Sequence, residues 1–211
     1  MLPERVDDMQ RYGQWNCPAM ECCVDNELVA SWINGSAAVS KENAIVIAAC
    51  QRLLFASWKE SRAIPASPGS LGWIRHHFRE HNAEADSAAD IAAASREVFC
   101  STDWPPPSKP IAIRSMSDGT AGKSNTSPAA GIVLFAFLGE NHGWVTLCTL
   151  SYPLLFGTSS VKSELIACQI AISVCRFLSP TSIPPQHSPS SELCLLFGLI
   201  LPAFPSPPSE Y

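Results

Sequence analysis

The chain has 211 residues, 46% of them hydrophobic and 16% charged, which is enough to bury the core of one ordinary domain and leave loose ends. A net charge of −5 excludes a chain that is basic throughout, the usual electrostatic footprint of a nucleic-acid binder. Nine cysteines without zinc-finger spacing, with no basic region and apolar core at the start of the chain, read as small buried hydrophobes in a reducing compartment rather than a disulfide framework.

Residues 1–18 are polar and irregular. Ala19 to Val24 is a short strand candidate ending at Asp25, and Glu27 to Ile33 reads as a helical segment stopped by Asn34-Gly35. Between Lys41 and Ser57 the residues Val46, Cys50, Leu53 and Leu54 follow a helical period. A Pro/Gly loop over 65–72 leads to a strand candidate from Trp73 to Phe78. The alanine-rich stretch from Asn82 to Ala94 then suits a helix that packs closely. Residues 95–110 form a proline-rich linker, because proline lacks a backbone donor and resists both helix and central strand. Beyond it, Ile111–Met116, Gly131–Phe137 and Trp144–Leu150 are strand candidates. Asn141-His142-Gly143 is a hairpin turn between the last two. Val161, Leu165, Cys168, Ile172 and Cys175 recur at helical steps and predict an amphipathic helix. Residues 179–211 are a Ser/Pro-rich tail whose apolar run, Leu193 to Leu201, is much shorter than the roughly 18–20 residues of a membrane span. No membrane segment is therefore expected. An intracellular protein of undetermined compartment is expected; the oligomeric state is left open, with a monomer the leading expectation.

Acidic residues stand at the ends of several of these elements. Asp118 lies in Ser117-Asp118-Gly119-Thr120-Ala121-Gly122-Lys123-Ser124-Asn125, just after a strand. Taken alone it is equally a turn aspartate before glycine. Glu164 sits in Ser163-Glu164-Leu165 on the last helix, where an exposed helix glutamate is the plainer reading. Asp25 opens Asp25-Asn26-Glu27-Leu28-Val29-Ala30-Ser31-Trp32-Ile33-Asn34-Gly35, and a helix N-cap would account for it. Asp86 closes His76-His77-Phe78-Arg79-Glu80-His81-Asn82-Ala83-Glu84-Ala85-Asp86; Asp90, one turn on, reads as a surface residue. From Arg52 to His81 the basic residues Arg52, Lys59, Arg62, Arg75 and Arg79 outnumber the acidic ones, a patch able to meet phosphates or simply a solvated face.

Together these segments resemble the ribonuclease H family, in particular its plant-type and retroelement-like members. The Asp25–Gly35 segment is the most specific match, with Asn26 where the family usually carries serine. The resemblance covers residues 19–94 and 111–178, in reversed order: 19–94 corresponds to the C-terminal half of such a domain and 111–178 to the N-terminal half. It implies an α/β fold with a mixed five-stranded sheet flanked by helices. It also implies that Asp118, Glu164, Asp25 and Asp86 hold two Mg²⁺ (or Mn²⁺) ions, and that His76, or His77 if the doublet shifts the register, moves water or product near them. The implied substrate is an RNA/DNA hybrid, with Gly119, Thr120, Asn125, Asn26 and Arg79 expected to contact nucleic acid; Arg79 could instead pair with Glu80 or Glu84. The implied reaction is two-metal hydrolysis of the RNA strand.

The reversed order has three readings. In a circular permutation the linker at 95–110, reaching roughly 3.3 Å per residue, joins the halves of one domain, with the cut between the central helix and the Asp25 strand. In a broken tandem the halves belong to neighbouring repeats, as in an inactive retroelement-derived fragment. In the third reading the chain is a non-enzymatic scaffold for nucleic acid or protein.

Overall fold

The computed structural model describes residues 19–61, 74–102, 110, 112–122 and 126–177. Asn125, the apolar run of the tail and residues 103–109 of the proline-rich linker lie outside the described residues. Six strands form one mixed sheet: β1 (Ala19–Val24), β2 (Ile74–His76), β3 (Phe99–Thr102), β4 (Ala112–Thr120), β5 (Ala129–Phe137) and β6 (Trp144–Pro153), in the spatial order β2-β1-β4-β5-β6-β3. Pairs β1/β2 and β1/β4 are parallel, and β4/β5, β5/β6 and β6/β3 are antiparallel. The helices are α1 (Glu27–Ile33), α2 (Ala44–Ser61), α3 (Ala83–Ser95) and α4 (Ser160–Phe177). The architecture is α/β, with helices on both faces of the sheet. No helix among the described residues is long and apolar enough to cross a membrane.

The two chain halves do not build separate sheets. Strand β1 from the first half runs beside β4 from the second over six paired residues, from Ala19↔Ala112 to Val24↔Ser117. The expected five strands become six. Residues 99–102, inside the stretch read as linker, pair with β6 in register Phe99↔Ser151 and close that edge. Phe99-Cys100-Ser101-Thr102 carries ordinary strand residues, but four of them beside a proline cluster are too short a run to stand out. Strand β4 also runs past the expected Met116 to Thr120, so Asp118 lies within the strand rather than after it.

The larger core packs α1, α2 and α4 on one face. Helix α4 was expected to show a single apolar stripe. Its Leu165, Ile166, Ala167, Cys168, Ile170, Ala171, Ile172, Val174 and Cys175 are all buried, because the sheet lies on one side and α2 on the other. The other face carries α3, whose Ala85, Ala92 and Ala93 pack with Cys23, Met116, Val133 and Ala129. Of the described cysteines, Cys22, Cys23, Cys50, Cys148, Cys168 and Cys175 are buried, Cys100 is half-buried, and none is in a disulfide.

Candidate metal centre

Two glycines decide how near the helices come to the middle of the sheet. A Cβ on Gly119 would fall onto the backbone of Ser163 and Glu164, and one on Gly131 onto the backbone of Ala85 and Ala89. Gly131 pairs with Asp118 across β4/β5. Bare backbone at these neighbouring positions lets α4 press on one face and α3 on the other. Their carboxylates therefore flank Asp118. Asn82, buried just before α3, donates from Nδ2 to the Ser117 carbonyl at 3.1 Å and fixes the entry of that helix beside Asp118.

Asp25 follows the last residue of β1, and Val24 is in register with Ser117, so Asp25 lies level with Asp118. The helix-capping role considered for Asp25 belongs to Asn26, whose Oδ1 accepts from Leu28 N at 3.1 Å and Val29 N at 3.2 Å. Asp25 is left free to face the cavity. One carboxylate oxygen each from Asp25, Asp118 and Glu164 lies within 4.8 Å of the others. These three line a cavity of about 220 Å³ together with Asp86, Asp90, Arg79, Gly119, Thr120 and Ser160. Residues from both halves of the chain thus meet at one place.

The electrostatics follow from crowding carboxylates where water is scarce. Asp118 and Glu164 are only 5% and 7% exposed. Burial, then the charges of Asp25 and Asp86, push Asp118 from 3.8 up to about 7. Burial, then Asp118 and Asp25, push Glu164 from 4.5 up to about 9. Oε2 of Glu164 is buried without a hydrogen-bond partner. An uncompensated acceptor of this kind is costly, and a cation would relieve both the repulsion and the missing contact. The all-oxygen donor set suits a hard ion such as Mg²⁺ or Mn²⁺ better than zinc.

The remaining expected residues divide. Thr120 and Gly119 line the cavity, though Gly119 is buried against α4. Arg79 also lines it, and its partner is Asp86, at 3.0 Å from Nη2 to Oδ1, rather than Glu80 or Glu84. Asn26 is engaged as a cap and is not part of the lining. His76 donates from Nε2 to the Asp25 carbonyl at 3.1 Å, which puts it next to the cavity but not in its wall. His77 turns to Glu21 and Cys23, so His76 is the histidine of the doublet that neighbours the acids. Asp90, read as a surface residue, is exposed but lines the cavity one turn beyond Asp86, a position its i+4 spacing could have signalled. Gly131 and Ser160 carried no such signal, since Gly131 acts through the space it leaves and Ser160 through where its helix begins.

Glu21, Cys23 and His77 also offer ligand atoms within 4.8 Å of one another. Both oxygens of Glu21 are already taken, by Arg75 at 2.9 Å and Arg114 at 2.7 Å. Burial, followed by the Glu21 charge, drives the Cys23 thiol up to about 12. Two guanidiniums and a protonated thiol make that cluster a poor cation site. Comparisons with family models, with curated proteins and with solved structures returned no match to this chain.

Proposed function

We propose that the protein is a magnesium-dependent ribonuclease H-type endonuclease that cleaves the RNA strand of an RNA/DNA hybrid, built on a circularly permuted ribonuclease H-like domain. One observation carries the reading: Asp25, Asp86, Asp118 and Glu164, drawn from the two reversed halves, line a single cavity. The strand order supports it. Starting the chain at β4 and continuing through β5, β6 and α4 before β1, α1, β2 and α3 gives an antiparallel meander followed by parallel additions, the arrangement the family resemblance implies. Strand β3 is then an edge addition.

Asp25, Asp118 and Glu164 would hold one divalent ion, and Asp86 would share a second with Asp118. Bound there, such ions lower the pKa of water and stabilise charge on the departing oxygen. The chain's own part is to keep the acids converged and, through Thr120 and Arg79 at the cavity wall, to meet the phosphate backbone. His76, whose Nε2 donates to the Asp25 carbonyl, stands beside the acids, where the resemblance implies a histidine that moves water or product.

Purified protein with Mg²⁺ and a labelled RNA/DNA hybrid tests the reading. Cleavage confined to the RNA strand, abolished by EDTA and by Asp118→Asn, is expected. Hybrid binding without cleavage under these conditions would favour the scaffold reading and remove the enzymatic one.

A further inference from the structure

Among the described residues, Arg79 is the single cationic side chain in a cavity wall that holds five carboxylates, those of Asp25, Asp86, Asp90, Asp118 and Glu164. It stands in a one-turn 3₁₀ segment, Arg79–His81, immediately before α3. Asn82 anchors the end of that turn to β4, so the root of Arg79 is held near the cavity while its side chain stays 75% exposed. Glu80 and Glu84 are nearer in sequence, yet the guanidinium reaches seven residues ahead to Asp86. Asp25, Asp118 and Glu164 close around one another, whereas Asp86 stands outside that tight group and is matched with an arginine.

We propose that Arg79 is a tethered counter-cation for Asp86: it holds the place of a second divalent ion in the metal-free protein, yields Asp86 when that ion binds, and passes its guanidinium to a phosphate of the nucleic-acid substrate. The inference rests on the metal-dependent reading above and adds a coupling between metal and substrate at that site. Two cation places of unequal strength follow. At the first, no described side-chain cation forms a salt bridge with Asp25, Asp118 or Glu164, and one oxygen is orphaned, so an ion there opens no ion pair. The second requires the Arg79–Asp86 contact to open. That contact is exposed, so the handicap it imposes is small, roughly 2–5-fold in affinity. Once released, a planar guanidinium on a solvated stem at the cavity wall is suited to grip phosphate with paired hydrogen bonds. Because the substrate draws Arg79 away from Asp86, it should strengthen the second ion's binding, and by linkage the ion should strengthen substrate binding equally.

The test is Mn²⁺ titration of the full chain, with free Mn²⁺ read by electron paramagnetic resonance, for wild type, Arg79→Gln and Arg79→Lys. Wild type is expected to show a tight and a weak class of site. Arg79→Gln should tighten the weak class ~2–5-fold and the tight class by less, and Arg79→Lys should fall between. Arg79→Gln should also raise KM for the hybrid without lowering kcat at saturating Mn²⁺. A weak-site constant that is unchanged or weakened in Arg79→Gln overturns the counter-cation role while leaving the metal centre standing. Wild type that binds no Mn²⁺ overturns both, and a thermal melt of each variant separates these results from misfolding.

Discussion

Two clusters in this molecule each bring three side chains able to ligate a metal together and differ in charge balance. At the end of β1 and the middle of β4, Asp25, Asp118 and Glu164 crowd together with an unpaired buried oxygen. Farther back along β1, and just beyond the end of β2, Glu21, Cys23 and His77 crowd just as closely, but Arg75 and Arg114 neutralise the only carboxylate. Proximity of ligand-type atoms therefore does not define a metal centre. Crowded acids without a protein cation between them are what favours an ion at such a place, since holding them together is costly without one.

The largest expected effect separates the two clusters directly. Asp118→Asn and Glu164→Gln should each lower Mg²⁺-dependent hybrid cleavage by about 10³-fold or more, with circular dichroism unchanged. Cys23→Ser and His77→Ala should leave cleavage and Mn²⁺ binding within about twofold of wild type, as expected of residues that touch no reacting group. Loss of Mn²⁺ binding in either of the latter would invert the contrast. Next in size is Gly131→Ala. Its new methyl meets the backbone of Ala85 and Ala89, which cannot swing aside as a side chain would. A loss of about 3 kcal/mol in urea unfolding is expected, together with weakened Mn²⁺ binding as α3 and Asp86 are pushed outward.

Gly131 also shows where sequence reading stopped. The carboxylates were legible because each sits in a distinctive string: Asp25 before Asn26-Glu27-Leu28-Val29, Asp86 after Arg79 and Asn82, Asp118 before Gly119, and Glu164 before Leu165. Helical period identified α1, α2 and α4, and short apolar runs rich in strand-forming residues marked the three long strands. Strand β3 was not legible, because four residues that merely complete an edge need no pattern of their own. The breadth of burial on α4, which leaves Lys162, Gln169 and Ser173 half-buried, was equally hidden, for it depends on α2 arriving from elsewhere in the chain. Charge partners were the least readable feature. Arg79 had two nearer acids and chose Asp86, and Asn26 took the cap that Asp25 could have supplied.

Metal-free stability should expose the crowding through pH. Asp118 and Glu164 have folded-state pKa values raised to about 7 and about 9 from 3.8 and 4.5. The folded state therefore holds protons that the unfolded chain releases. These groups cost nothing below about pH 4, and their cost grows as pH rises through 7 toward 9. In EDTA at pH 8, Glu164→Gln should thus be more stable than wild type by about 1–2 kcal/mol, roughly 2–8 °C in melting temperature. The gain should vanish at pH 4. Added Mg²⁺ should reverse it, because wild type can then bind an ion that the variant binds poorly. A difference independent of pH would mean that the two acids do not share a buried site.

The smallest effect belongs to the neutralised cluster and runs in the opposite direction. Glu21→Gln removes a carboxylate that holds two guanidiniums, leaving Arg75 and Arg114 close with no charge between them. A destabilisation of about 1 kcal/mol is expected at low ionic strength, shrinking in 1 M salt where the repulsion is screened. The two arms should not contribute equally. Arg75 is 57% exposed and solvent screens it well, whereas Arg114 is 29% exposed, lies closer to Glu21, and rests 4.4 Å from the centre of the Trp144 ring. In double-mutant cycles the coupling of Glu21 to Arg114 should therefore exceed its coupling to Arg75. Removing an acid would then destabilise the fold at Glu21 and stabilise the metal-free fold at Glu164, and that difference in sign separates a satisfied ion network from a site built to receive a cation.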